Sequence, residues 1–290
     1  MASDRGQSTF ELRPDADGFG IESFSDAAAV ARYCELFAIE TVCASEAEDE
    51  LVSRHDAIQR PVAVYEDKPY APRYAKLCLL HALALQRRVI TVLEFGSGFS
   101  TAILADAMAR LAPVFGDWAS SNTRCDRPFH VFAVEEEQRF VEITRRRLRG
   151  VLSAHATVSR SSLDIITHDS RIATVFSRLP NVAPDLIYLD GPSQYGTTAE
   201  LNGFSFASRA RMPMSADILR FEFFLEPGTL VIIDGRTQNA RFLRSYLRRN
   251  WAYRHDRSLD VHFLELQEEP IGPLNQRKLE FCLKGKWLLS

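Results

Sequence analysis

Four acidic residues stand at the ends of apolar runs: Glu94 in VITVLEF, Glu135 in HVFAVE, Asp190 in PDLIYLDG and Asp234 in GTLVIIDG. Such runs, short and bounded by turn residues, predict buried parallel strands. In an open parallel sheet, ligands bind at the carboxyl ends of the strands. Carboxylates gathered on one rim repel one another and lose hydration, so a sheet gains no stability from them. Any one of them is compatible with an ordinary strand–loop junction. Together, beside a Gly-x-Gly turn, they point to a ligand.

The turn itself reads EFGSGFST. Gly96 and Gly98, with Ser97 between them, permit positive φ and close approach of a ligand to the backbone. Ser100 and Thr101 open the next helix, whose first amides face the same space. Glu135, ending the second strand, suits the two hydroxyls of a ribose. NAD is the obvious rival, but its G-x-G-x-x-G fingerprint lacks its third glycine here. A carboxylate at Glu94 would also repel a pyrophosphate. It suits a cationic nucleoside with an amino-acid head, and S-adenosylmethionine has that chemistry.

Those residues need a scaffold. Strands expected at 90–95, 130–135, 156–161, 184–190 and 228–234 alternate with helical patterns in STAILADAMARLA, EQRFVEITRRRLRG and ARFLRSYLRRNW. Alternation of this kind predicts a parallel sheet with helices on both faces. Residues 113–128 read as a polar loop. WAYRHDRSLDVHFLELQ and RKLEFCLKG read as two final strands, antiparallel across a short loop. The expected fold is α/β, Rossmann-like, with a seven-stranded, mostly parallel sheet and one reversed strand. Ahead of it, residues 1–22 look disordered. Residues 23–89 form a helical extension, with Ser25 or Asp26 capping a helix through DAAAVARYCELFAIETVCAS and a second helix over KPYAPRYAKLCLLHALALQRR. The binding domain then covers 90–290.

Composition narrows the classes. Of 290 residues, 46% are apolar and 25% charged, as in ordinary globular proteins. No apolar stretch is long enough to span a bilayer, and the polar N-terminus has no signal-peptide core, so a cytoplasmic protein without a membrane partner is expected. The five cysteines are widely spaced, with no CxxC, and Cys78 and Cys282 lie in apolar runs that predict buried thiols. The seven histidines form no HxxxH or HxH pair, and no metal is assigned. A net charge of −3 does not favour nucleic acid, although two helices are rich in arginine.

The ordered motifs VLEFGSGFST, VFAVEEE, PDLIYLDGP and FLEPGTLVIIDG resemble those of class I S-adenosylmethionine-dependent methyltransferases, nearest to small-molecule O-methyltransferases of the catechol type. The resemblance covers about residues 75–285. It implies Glu94 near the methionine part of the cofactor, Gly96, Ser97 and Gly98 beneath it, Glu135 on the ribose, Ser162 of RSSLD near adenine, and Asp190 near the methyl. Metal-dependent members have Asp-Asn after the fifth strand, where this chain has Asp234-Gly235. Their catalytic lysine falls three residues after the fourth-strand aspartate, at Ser193 here. Both departures lead to the expectation of no essential metal.

In-line methyl transfer to a hydroxyl requires alignment and removal of a proton. Asp190 is the candidate base, and binding the methionine ammonium is its other reading. Tyr195 and Ser193 on the same loop could orient a substrate. The long connection from Gly191 to Pro213 is expected over the substrate pocket, with Arg209 and Arg211 as candidates for an acidic group. The expected reaction is O-methylation of a small hydroxylated or acidic metabolite, such as a sugar or natural-product intermediate. A nucleic-acid methyltransferase and a non-catalytic module of the same fold are the alternatives. Oligomeric state is left open.

Overall fold

The computed structural model describes residues 16–44, 51, 69–193, 200–206 and 211–289. Tyr195, Arg209, His55 and most of the charged stretch after Ala44 lie outside them.

The central sheet uses seven strands: β1 (Thr91–Phe95), β2 (His130–Glu135), β3 (Ala156–Arg160), β6 (Leu186–Leu189), β9 (Leu230–Asp234), β10 (Trp251–Asp256) and β11 (Val261–Leu266). Their spatial order is β3-β2-β1-β6-β9-β11-β10. All pairings are parallel except those of β11, which runs against both neighbours. The sheet reverses direction of winding between β1 and β6, which is where open α/β sheets leave a crevice.

Strand alternation sorts the core into two layers. Val92, Val131, Ala133, Leu186, Tyr188, Leu230 and Ile232 face one apolar cluster. Leu93, Phe95, Val134, Ile187, Leu189, Val231 and Ile233 face the other. The first layer is covered by the N-terminal helices α1 (Ala27–Phe37), α2 (Ile39–Cys43) and α3 (Tyr74–Gln86), and by α4 (Phe99–Asn122) and α8 (Pro273–Leu283). The second is covered by α6 (Asp217–Phe221), α7 (Thr237–Tyr246) and a hairpin of β4 (Leu163–His168) and β5 (Arg171–Phe176). Two short strands, β7 (Glu200–Leu201) and β8 (Phe204–Ser205), pair separately in the connection after β6. Helix α5 (Gln138–Arg147) connects β2 to β3. Cys78 and Cys282 are buried free thiols, as expected. Among the described residues no helix is long and apolar enough to cross a membrane.

The structure corrects three expectations and adds a hairpin. First, RKLEFCLKG is helix, not strand. Gly272 and Pro273 start α8, and Phe281 stacks on Trp118 with ring centroids 3.7 Å apart. Both final strands come instead from WAYRHDRSLDVHFLELQ. Asp256 turns the chain there by accepting the amides of Ser258 and Leu259, each at 3.1 Å. Second, α4 runs through Pro113 to Asn122, where a loop was expected. Packing of Phe115 and Trp118 on Phe281 outweighs the helix-breaking tendency of proline. Third, the first helix breaks at Ala38, which is left-handed at φ 53. Its cap is Asp26, one of the two expected candidates, which accepts the amides of Ala28 and Ala29. The β4–β5 hairpin went unread. Its two-residue turn, Asp169-Ser170, has positive φ at both positions, the geometry that hairpins favour. Of residues 1–22, the structure describes 16–22, where Ala16 and Ile21 are buried.

Candidate functional site

The strand register aligns the acids. Val134 pairs with Phe95, Phe95 with Leu189, and Leu189 with Ile233. One step further along, Glu135, Gly96, Asp190 and Asp234 therefore form a row across four neighbouring strands at their carboxyl ends. Glu94, Glu135 and Asp234 share the parity of the first layer, so they point toward the side of α3 and α4.

Gly96 sits at φ 100, and a Cβ on it would lie 3.1 Å from the amide nitrogen of Gly191. A Cβ on Gly191 would lie 2.7 Å from the amide nitrogen of Gly96. The β1 turn and the β6 exit thus touch backbone to backbone, and a side chain at either position would part them. Their contact is sealed by the amides of Asp190 and Gly191, which both donate to the carbonyl of Phe95. At Gly98 the opposite holds: a Cβ there would meet nothing within 4 Å. The turn is closed on its strand side and open at Gly98.

Glu94 is 1% exposed. Its Oε1 accepts the Ser100 hydroxyl at 2.5 Å and its Oε2 the Thr101 hydroxyl at 2.7 Å. Burial raises its pKa to about 7; the two hydroxyls pull it down, and the charge of Asp190 pushes it up. Glu135 is also buried. It accepts the Ser97 hydroxyl at 3.2 Å and the Glu137 amide at 3.1 Å. Burial and neighbouring Glu136 hold its carboxyl well above the usual range. Glu136 accepts the amide of Ser193, which ties the loop after β6 to the end of β2. Ser162 lies just past β3, with its hydroxyl 2.8 Å from that of Ser177.

Asp190 is the open member of the row, with its side chain 49% exposed. Its carbonyl accepts Arg236 Nη2 at 2.5 Å, and the same guanidinium nitrogen donates to Pro192 at 2.6 Å. Arg236 Nε stands 4.0 Å from Asp190 Oδ1. Asp234 is enclosed by Arg73 at 3.3 Å, by Lys76, and by the Tyr188 hydroxyl at 2.9 Å. Burial, with the charges of Asp190 and Glu94, raises the Tyr188 hydroxyl far above the ordinary tyrosine range.

The structure brings Glu94, Gly96, Ser97, Gly98, Ser100, Thr101, Glu135 and Asp190 to one rim, with Ser162 at its β3 end. Tyr195 falls outside the described residues. Sequence reasoning missed Lys76, Arg73, Tyr188, Glu136 and Arg236. Tyr188 could have been found from its alternation with Asp190. Lys76 carries a weaker signal, a lone charge at the head of an apolar helix.

No protein-family model and no curated protein matches this sequence. Solved structures of methyltransferases match in outline. The O-methyltransferase TomG from Streptomyces achromogenes, involved in tomaymycin synthesis and solved with SAM, is 15% identical at a TM-score of 0.39, over 82% of this chain and 98% of its own. An O-methyltransferase from Bacillus cereus in complex with SAH is 13% identical at 0.36, over 83% and 91%. A methyltransferase from Podospora anserina bound to SAH is 9% identical at 0.41, over 84% and 97%.

Proposed function

We propose that this chain is an S-adenosylmethionine-dependent methyltransferase that methylates a hydroxyl of a small hydroxylated or acidic metabolite. One observation carries the reading. A glycine turn, open at Gly98, lies in a row of carboxylates at the winding switch of a parallel sheet, and one of them, Asp190, faces solvent. Phosphate has no place in such a row, whereas a cationic nucleoside does.

The residues fit that ligand. Glu135, oriented by Ser97, is placed to accept ribose hydroxyls. Each Glu94 oxygen accepts one hydroxyl from the protein and keeps a second lone pair for the ammonium of an amino-acid head. Ser162 borders the β3 side, where an adenine would lie. When bound, the cofactor would supply an electrophilic methyl on a sulfonium sulfur, for transfer to an acceptor hydroxyl that gives up its proton. Asp190 is the group to take that proton at its exposed carboxylate, and Arg236 holds its backbone in place.

Three arginines of the arginine-rich helices have partners within the fold, which supports a small acceptor over nucleic acid. Arg145 donates to the Val158 carbonyl at 2.6 Å, Arg147 lies 3.9 Å over the Phe99 ring, and Arg244 lies 4.6 Å over Tyr253. Calorimetry with S-adenosylmethionine and with NAD tests the proposal. Heat with the first and none with the second is expected; the reverse pattern would assign a dehydrogenase. Screening metabolite pools with methyl-labelled cofactor then identifies the acceptor, and label found in RNA would overturn the small-molecule reading.

A further inference from the structure

A second group of polar side chains lies outside the carboxylate row. His255, near the end of β10, pairs directly with His262, near the start of β11, so both side chains stand on one face of the hairpin. It is the face of Leu264 and Leu266, and there the His262 ring meets Thr237, the first residue of α7. The two imidazoles are stacked, with centroids 3.8 Å apart and planes 15° apart. Asp260 joins them from the turn, and one ligand atom from each of the three lies within 4.8 Å of the other two. The HxxxH and HxH spacings do not reveal this pair, because the hairpin, and not the local chain, brings it together.

Packing alone leaves the group incompletely satisfied. His255 Nε2 is buried with no hydrogen-bond partner among the described residues. Such a nitrogen has lost water and gained no bond in return. The Asp260 side chain is exposed, while its backbone is fixed: φ is 52, and its carbonyl accepts the Gly235 amide at 2.9 Å and Lys76 at 3.0 Å. His262 is fully buried, with the Tyr253 hydroxyl 2.9 Å from Nδ1 and the Thr237 hydroxyl 3.0 Å from Nε2. Burial, then His255 and Arg241, lowers its pKa to about 4 against the pull of Asp260. It therefore stays neutral, the form in which imidazole binds a metal.

We propose that His255, His262 and Asp260 form a binding site for a divalent cation of the zinc type. Two imidazoles and one carboxylate suit that ion, with a fourth position left to solvent on the exposed side; magnesium and calcium take oxygen ligands throughout. Bonds of about 2.0–2.2 Å draw the ligand atoms closer than they stand without the ion. The χ2 torsion of histidine is soft, so the rings can turn out of their stack toward a common point, and the exposed Asp260 side chain can follow. Turning His262 releases one of its two hydroxyls. The other accepts the remaining ring N–H, as an orienting partner of a metal-bound histidine does. Arg241 opposes the charge of the ion, and Asp260 offsets it. The ion locks the β10–β11 turn against the start of α7. The site is independent of the methyltransferase reading.

The test is calorimetry with Zn²⁺ alone, on the full-length chain carrying no histidine tag. Wild type should take up a single equivalent. His255→Gln should weaken uptake by at least about tenfold, since loss of an orienting partner alone costs about 10–100-fold. Asp260→Asn should weaken it as well. Neither position is fully buried, so both variants should fold, which circular dichroism verifies. Co²⁺ supplies a second arm. Its visible bands should appear without the strong near-ultraviolet absorption of a cobalt–thiolate bond, which separates this site from the cysteines. His255→Gln/Asp260→Asn should abolish those bands. Zn²⁺ should also raise the melting temperature of wild type and leave that of the double variant unchanged. No uptake by wild type, uptake indifferent to both substitutions, or absorption of the thiolate kind would overturn the proposal.

Discussion

The Thr101 hydroxyl donates to Glu94 Oε2 at 2.7 Å while accepting the Gly98 amide at 3.0 Å, so one buried side chain ties the end of β1 to the turn that follows it. Thr101→Val keeps the shape and removes both bonds. It should cost about 1–3 kcal/mol, because a buried carboxylate oxygen loses its partner. Urea unfolding at pH 7 measures this, and an unchanged midpoint would show that the bond is not needed.

Glu94 makes stability depend on pH with a definite sign. Its folded pKa, raised by burial to about 7, lies above the ordinary 4.5, so the folded state binds the proton more tightly than the unfolded state does. Its contribution is therefore fully present below pH 4.5 and is lost as pH rises toward 7, by on the order of 3 kcal/mol in total. Asp217, raised by burial from 3.8 to about 6, acts in the same direction in a lower window. Glu94→Gln should flatten the upper part of the fall, between about pH 6 and 7, and leave the part due to Asp217. Unfolding midpoints from pH 4.5 to 7.5 show whether it does.

Glu135→Ala should weaken S-adenosylhomocysteine binding by about 0.5–1.5 kcal/mol for each ribose hydrogen bond lost. Ser97→Ala, which removes only the hydroxyl held against Glu135 at 3.2 Å, should produce a smaller loss. Calorimetric affinities equal to wild type in both variants would place the ribose elsewhere.

Asp190→Asn should lower turnover by roughly 10²–10⁴-fold if its carboxylate takes the acceptor proton. Cofactor affinity should change little, since the backbone bonds from Arg236 remain. A drop in affinity with turnover preserved would make Asp190 a binding residue instead.

At the opposite end of the sheet, Lys278 pairs with Asp185 and, at 2.7 Å, with Glu226. Asp185 in turn accepts the amides of Ile90 and Thr91. Lys278→Met should destabilise the fold by about 3–5 kcal/mol by stranding a buried carboxylate. Cofactor affinity of the folded fraction should be untouched. Thermal melts with and without S-adenosylhomocysteine separate the two effects.

The sheet was legible because β1, β2, β6 and β9 are apolar on both faces and end in carboxylates, a pattern that helices do not produce. The gathering of Glu94, Glu135, Asp190 and Asp234 on one rim followed from that pattern and the parallel connection rule. The tail was not legible, since RKLEFCLKG carries apolar residues compatible with either period and its helix is decided by Trp118, more than 150 residues earlier in the chain. The loop expected at 113–128 failed for the same reason: distant aromatic packing carries the helix on through Pro113. Lys76 escaped because its partner Asp234 is 158 residues away and no local spacing joins them.

Helix α3 has no wet side between Lys76 and Leu85. Its residues share one continuous core with Tyr33 and Phe37 ahead of it and with Val92, Ile103 and Val131 behind it. A shortened chain beginning at residue 90 would lay bare an apolar wall of sheet and α4 together, so the leading helices are not an interchangeable attachment. Melting should proceed as one cooperative event, and a graft of these helices onto another sheet would have to bring the matching wall with it.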